Sequence, residues 1–127
     1  MALKFIERIE NNSGNIVLVF EGGSKELEQN VNNFFLARKY KLKSGENNNA
    51  VYEKGNYVMR ILFGAFVAYY KFSVIIKQEE NRLMLHLLKA HSGFSGGAIG
   101  VAKLKKEYHK IAAALENADS ALGIYAE

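Results

Sequence analysis

The feature that most constrains the fold is a series of apolar segments between residues 40 and 91, separated by short connectors. The predicted strands are residues 40–43, 50–54, 57–63, 69–77 and 82–91. Their connectors are polar or contain glycine, and connectors of this length suit hairpins. No proline occurs in the chain, so no strand or helix has to avoid one. This part of the sequence therefore predicts several antiparallel strands.

Two strands and a helix precede this series, and a longer helix follows it. Residues 3–9 and 16–20 predict strands, joined by turn-forming residues 11–15. Ser24 is then a candidate cap for a helix. From residue 98 to about residue 117, apolar positions recur every three and four residues, which is typical of a helix. The apolar positions of the two helices are Leu27, Val31, Phe34 and Phe35 in the first and Val101, Leu104, Tyr108, Ile111 and Leu115 in the second.

These elements predict an α+β fold in the order β-β-α-β(4-5)-α. The natural packing is a curved antiparallel sheet with both helices on one face. The chain has 127 residues, which suits one domain. We place that domain at residues 1–118, with residues 119–127 as a C-terminal tail or short extension. In element order the chain resembles the helix-grip fold and the TATA-box-binding-protein-like fold.

Several kinds of site are excluded or disfavoured by residue type. The chain has no cysteine, which excludes disulfides, thiolate metal sites and a cysteine nucleophile. His86 and His91 differ by five positions, so an extended strand directs them to opposite faces. We therefore predict no metal site and no cofactor. The longest apolar stretch, residues 61–70, is too short to span a bilayer, and no signal peptide is recognisable. Together with the lack of cysteine, this leads us to expect a cytoplasmic protein.

The stretch Gly93-Phe94-Ser95-Gly96-Gly97 matches G-x-S-x-G and resembles a nucleophile elbow. It also resembles the G-D-S-G-G sequence of trypsin-like proteases, with Phe94 in place of the aspartate. An activated serine needs a histidine base and an acid to orient it. The single aspartate is Asp119, and no histidine is suitably placed by the pattern. We therefore predict no catalytic residue, and a serine hydrolase is the least favoured function. Ser95 fits better as a turn or cap residue.

The same loop is a candidate site for an anion. The N-terminus of a helix presents free amides to a negative charge, and glycines allow close approach to the backbone. The first two turns of the last helix contain no acidic residue before Glu107. The candidate ligand-binding residues are Ser92, Ser95, Gly96, Gly97, Lys103 and Lys106. The alternative is that the glycines only let the helix cross closely over the sheet.

Aromatic residues and methionines suggest a different ligand. Ala65-Phe66-Val67-Ala68-Tyr69 resembles the second half of an RNP1 motif, but Leu62 and Phe63 do not fit its first half. The candidate residues for an apolar pocket or surface are Met59, Phe63, Phe66, Tyr69 and Met84. Our first functional prediction is a non-enzymatic binding domain. It would hold an apolar small molecule or lipid between sheet and helix, or dock a protein partner through this surface.

The second functional prediction rests on charge. The net charge is +4, which permits nucleic acid, anionic membrane or another acidic partner. Basic residues are concentrated at residues 38–43 and again at residues 103–110. If the two groups adjoin in space, they form a surface for phosphate, nucleic acid or a peripheral membrane contact. Residues 3–9 can lie at a sheet edge and pair with a second chain, so a monomer and a homodimer both remain open.

Overall fold

A computed structural model describes residues 2–46, 48–55, 69–89 and 97–125. Within them, one antiparallel sheet has the strand order β1-β2-β6-β5-β4-β3. The strands are β1 Lys4–Glu10, β2 Ile16–Glu21, β3 Lys41–Glu46, β4 Asn49–Gly55, β5 Tyr69–Glu79 and β6 Arg82–Lys89. The helices are α1 Ser24–Ala37, α2 Gly97–Leu115 and a 3-10 helix, η1, Gly123–Tyr125. The predicted α+β class is confirmed.

The predicted order of elements agrees with the described ones, and one local prediction is wrong. Ser24 is the first helical residue of α1 and does not cap it; Gly23 is the N-cap residue, without a side-chain cap bond. The reason is the turn before it. Gly22 has a φ of 129°, and a Cβ atom there would lie 2.6 Å from the Cα of Leu3. The chain reaches the helix through this glycine turn, so the helix begins one residue earlier than predicted. The predicted strand at residues 57–63 lies outside the described residues.

One face of the sheet, which we call the helix face, carries the core. Side chains alternate along a strand, so Phe72 and Val74 of β5 point to the same side as Leu85 of β6, all at most 1% exposed. Both helices bury their apolar side chains against these residues, and together they form one hydrophobic cluster. Each fully buried large apolar side chain contributes about 1.5–3 kcal/mol. The helix-face layer therefore holds the fold together.

The hydroxyl of Tyr108 joins the last helix to the middle of the sheet. It accepts a hydrogen bond from the backbone amide of Ile16 at 2.8 Å and donates one to the carbonyl oxygen of Leu87. Ile16 and Leu87 face each other in the pairing of β2 with β6. Because Tyr108 is fully buried, water cannot replace these bonds. The hydroxyl thus connects three elements at one point.

The segment after α2 packs back on the domain as far as residue 125. The amide nitrogen of Asn30, in α1, donates to the carbonyl oxygen of Ala118 at 2.8 Å. The backbone amide of Phe5, in the edge strand β1, donates to the carboxylate of Asp119 at 3.1 Å. Ile124 in η1 is 1% exposed. These contacts attach the segment to both α1 and β1.

The opposite side of the sheet, which we call the open face, carries the other set of alternating residues. Its central row runs Ile9, Val17, His86, Ile75 and Asn49 across five strands, as the pairing register shows. The row on one side of it contains Val19 and Met84. The row on the other side contains Leu88 and Val51. Most of these apolar side chains are half-buried. None of the described helices packs on this face, since all bury their apolar side chains on the helix face.

The position of His86 predicts a pH-dependent stability. Burial lowers the pKa of His86 below its ordinary value, and Lys77 acts in the same direction. Around and below about pH 6.5 the unfolded chain binds this proton more strongly than the folded chain does, so the free energy of unfolding decreases as the pH falls. We expect the free energy of unfolding from urea titrations to decrease between about pH 7.5 and about pH 5. His86→Gln should remove part of that decrease; an identical pH profile in the variant would contradict the assignment.

Candidate anion-binding groove

The structure describes only part of the residues singled out by sequence. Lys103 and Lys106 lie on α2 and are exposed. Gly97 is the first residue of α2, and Tyr69 is the first residue of β5. The remaining candidates that lie outside the described residues are Ser92, Ser95, Gly96, Met59, Phe63 and Phe66. The predicted roles of those six residues stay predictions.

Met84 is described, and it lies on the open face. Its neighbours Leu83 and Leu85 are buried on the helix face, which directs Met84 to the other side of β6. There it lines a surface groove together with Ile9 and Val19. Met84 therefore does not lie between the sheet and the helices, where a wall of the expected cavity would be.

Between the sheet and the helices, the described aromatic rings pack against one another. Phe35 of α1 stacks on Tyr52 of β4 with ring centroids 4.4 Å apart. Phe72 lies between Tyr40 and Tyr108, with centroid distances of 6.0 Å to each. These rings are at most 2% exposed. They belong to the core and present no aromatic surface to a partner.

A groove along one flank of α2 is the most distinctive surface feature of the described residues. Its first part, about 310 Å³, is lined by Tyr70, Lys103, Lys106, Glu107 and Lys110. Its second part, about 520 Å³, is lined by Ala37, Arg38, Lys110, Ala113, Ala114, Asn117 and Tyr125. Lys110 borders both parts, so they adjoin. We call the two together the basic groove.

Helical spacing explains why these residues share a flank. Positions 103, 106, 110, 113 and 117 recur every three or four residues, whereas buried Leu104, Tyr108 and Ile111 define the other side of the helix. At 1.5 Å per residue, the distance along α2 from Lys103 to Ala113 is about 15 Å, and Asn117 follows in the turn after the helix. The alanines at 113 and 114 have small side chains, which leaves space between α2 and the end of α1.

Arg38, a residue of the first basic group of the sequence, lies beside the second basic group. Its guanidinium lies 3.8 Å from the centre of the Phe34 ring and donates to the carbonyl oxygen of Ile124 at 2.5 Å. These contacts fix the side chain at the C-terminus of α1, where a cation is favourable. Arg38 and Lys110 line the same part of the groove. One residue of the first basic group, Arg38, therefore adjoins the second group in space.

Of the residues that the structure describes, one carboxylate lies among the lysines of the groove, and it has a partner. The hydroxyl of Tyr40 donates to a carboxylate oxygen of Glu107 at 2.6 Å. Burial and this carboxylate raise the pKa of Tyr40 well above its ordinary value, so the hydroxyl keeps its proton and remains a donor. The bond holds Glu107 toward the core side of the groove. It also ties α2 to the residue that precedes β3.

Tyr70 supplies an aromatic surface at the first part of the groove. Its ring is nearly parallel to that of buried Phe72, at 6° and a centroid distance of 6.5 Å. Tyr70 is half-buried, so one portion of the side chain faces the groove. A fixed aromatic ring beside lysines is a combination found where proteins hold nucleic acid bases and phosphates.

The described residues carry little that would support other chemistry. No group of three or more histidine, aspartate or glutamate side chains is placed to hold a metal ion in this part of the chain. No described helix is long and apolar enough to cross a membrane. The basic groove can bind and orient an anion through lysine and arginine donors.

Sequence reasoning found Lys103 and Lys106 but missed Arg38, Tyr70 and Lys110 as members of one site. Lys110 was within the second basic group, and its spacing from Lys103 and Lys106 was a usable signal.

Comparison of the chain with protein-family models, curated proteins and solved structures finds no match.

Proposed function

We propose that this domain binds single-stranded nucleic acid in the basic groove and does not catalyse a reaction. The observation that carries the proposal is that Arg38, from the first basic segment of the sequence, lines one groove with Lys110 of the second. Among the described residues, four cations, Arg38, Lys103, Lys106 and Lys110, border the groove with one carboxylate, Glu107. Such an excess of positive charge attracts a phosphate backbone.

The shape of the groove favours a flexible polyanion over a flat membrane. The part of the groove along α2, from Lys103 to Ala113, is about 15 Å long by the helix rise, enough for a few nucleotides at about 3.4 Å or more each. Tyr70 offers a ring on which a base can stack at one end. A bilayer, by contrast, would contact residues that protrude from a surface. The apolar ligand expected from the sequence remains a prediction, because three of its five candidate residues lie outside the described ranges.

The test is a binding titration with a fluorescent 12-nucleotide single-stranded RNA, followed by anisotropy at several salt concentrations. The double variant Lys106→Gln/Lys110→Gln removes two groove cations. Each lost phosphate contact should reduce the log–log salt slope by about 0.7. The affinity should fall on the order of tenfold or more, since charge-assisted hydrogen bonds contribute about 1.5–3 kcal/mol each. The matched control is Lys4→Gln/Lys25→Gln, which removes the same charge from exposed residues elsewhere.

A third variant, Glu107→Gln, changes the groove charge in the opposite direction. Glutamine keeps an oxygen that can accept the bond from Tyr40, so the local geometry is preserved. We expect tighter RNA binding, because a negative charge leaves the site. Equal weakening by the groove and control variants would overturn the proposal. So would binding to vesicles of anionic lipid without any binding to the RNA.

A further inference from the structure

We propose that Glu107 makes the basic groove selective for guanine at one position of the bound strand. This selectivity rests on the proposed function, because it concerns the nucleic acid held in the same groove. Glu107 lines the first part of the groove together with Tyr70 and the lysines. A carboxylate repels phosphates, so it weakens a site that binds only the nucleic acid backbone. It fits a site that also reads a base, because contacts to base edges provide sequence selectivity.

The position of Glu107 on α2 places it between two lysines. It follows Lys103 by four residues and precedes Lys110 by three, and residues at these spacings are neighbours on one flank of a helix. Cations therefore lie on both sides of the carboxylate along the groove. The phosphates before and after a nucleotide can contact these lysines while its base lies at Glu107.

Tyr40 holds the carboxylate in place and leaves both of its oxygens usable. The Tyr40 side chain is 2% exposed, and its hydroxyl donates to Oε2 of Glu107 at 2.6 Å. Because the ring is packed in the core, the donor is fixed and orients the carboxylate. An ionised carboxylate has about four lone-pair sites on its two oxygens, and this bond uses one of them. Each oxygen can still accept a hydrogen bond from a ligand.

Tyr70 provides a stacking ring beside the same carboxylate. After burial and Glu107, Tyr70 is a further cause that raises the pKa of Tyr40, so its hydroxyl end lies near the Tyr40–Glu107 pair. A base that stacks on the Tyr70 ring can therefore present its edge to Glu107. The volume of this part, about 310 Å³, is at the lower end of the range for small-ligand sites, about 300–1,000 Å³, which suits one base.

The hydrogen-bonding edges of the four bases decide which one fits. An ionised carboxylate only accepts hydrogen bonds. The Watson–Crick edge of guanine has two adjacent donors, the ring N1–H and the N2 amino group, which match the two oxygens of a carboxylate. Adenine and cytosine present one donor beside an acceptor nitrogen, and uracil presents one donor between two acceptors. Guanine alone gains two hydrogen bonds at Glu107 without placing an acceptor against it.

Anisotropy titrations of the full chain with four 12-nucleotide RNAs test the preference. One RNA consists of uridine alone, and the other three carry a single guanosine, adenosine or inosine in the middle of the uridines. We expect the guanosine RNA to bind on the order of tenfold more tightly than the adenosine RNA, the discrimination that a bidentate contact provides. Adenosine controls for the stacking of a purine. Inosine keeps N1–H and lacks the N2 amino group, so its RNA should bind with intermediate affinity.

The Glu107→Gln variant tests the residue itself. Its amide oxygen can accept the bond from Tyr40, which turns the amide NH₂ group, a donor, toward the donors of guanine. We expect the ratio of guanosine to adenosine affinity to fall to about one, the value without a base-specific contact. Binding to the uridine RNA should become tighter, because a negative charge leaves the groove. Glu26→Gln, the same chemical change at an exposed residue of α1, is the matched control and should leave the ratio unchanged.

The outcomes separate guanine selectivity from nucleic acid binding itself. Equal affinity of the wild-type chain for all four RNAs would overturn the selectivity and leave the proposed function standing. A preference for guanosine that persists in Glu107→Gln would overturn the role of this residue. Binding to none of the RNAs would overturn both proposals. Free guanosine monophosphate at the concentration of the RNA should not displace it, because it lacks the neighbouring phosphates; displacement would indicate a mononucleotide site and contradict selection within a strand.

Discussion

Replacing Tyr108 by phenylalanine should lower the free energy of unfolding by roughly 2–4 kcal/mol, although only one oxygen atom is removed. The hydroxyl accepts from the amide of Ile16 and donates to the carbonyl of Leu87, and no water can reach the site. Its loss leaves a buried donor and a buried acceptor without partners. Each unsatisfied group costs about 1–3 kcal/mol. Urea titration monitored by circular dichroism measures the difference.

Tyr125→Phe is the matched control, because it is the same chemical change at a side chain that is 63% exposed. We expect it to alter stability by less than about 0.5 kcal/mol. Equal effects of the two substitutions would show that the hydroxyl of Tyr108 does not act as the structure indicates.

Phe35→Ala should have the largest effect of any single substitution considered, a loss of about 3–5 kcal/mol. The ring is fully buried and stacks on Tyr52 with centroids 4.4 Å apart. It also meets Phe34 and Tyr40 edge to face, each at a centroid distance of 5.2 Å. Alanine would leave a cavity bordered by three rings, which come from α1, from β4 and from the residue before β3. Those rings cannot all move to fill it.

The neighbouring Leu36→Ala substitution is the control for helix propensity and position. Leu36 is 48% exposed, so its truncation should change stability by no more than about 0.5 kcal/mol. Thermal unfolding followed by circular dichroism compares the two variants. A loss at Leu36 as large as that at Phe35 would contradict the burial pattern of α1.

The local elements were predictable because their causes are local. Alternation of Phe72, Val74 and Ile76 indicates a strand whatever surrounds it, and the spacing of Leu104, Tyr108 and Ile111 indicates a helix. The neighbours of each strand were not predictable in the same way. Nothing in the composition of β2 distinguishes β6 from any other apolar strand as its partner, since both faces of these strands carry apolar residues.

The candidate site shows the same limit. Lysines three and four residues apart predict a basic flank on α2 without further information. Arg38 joins them only because α1 ends beside α2, which depends on the packing of both helices on the sheet. Tyr108 was assigned to the apolar stripe, correctly, but its hydrogen bonds depend on the strand order. Ser24 was misassigned as a cap because the glycine turn before it shifts the helix by one residue.

The pairing of β2 with β6 has a consequence for the chain as it is made. The strand β2 acquires its second neighbour only after synthesis has reached Leu87, the residue of β6 that pairs with Ile16. At about 5–20 residues per second, a ribosome takes roughly 4–14 s to cover that distance. During this interval Ile16-Val17-Leu18-Val19-Phe20 is a short β-prone segment with one unpaired edge, the kind that assembles with other chains. The nascent domain is therefore most vulnerable to aggregation early in translation, when a chaperone would have the most to protect.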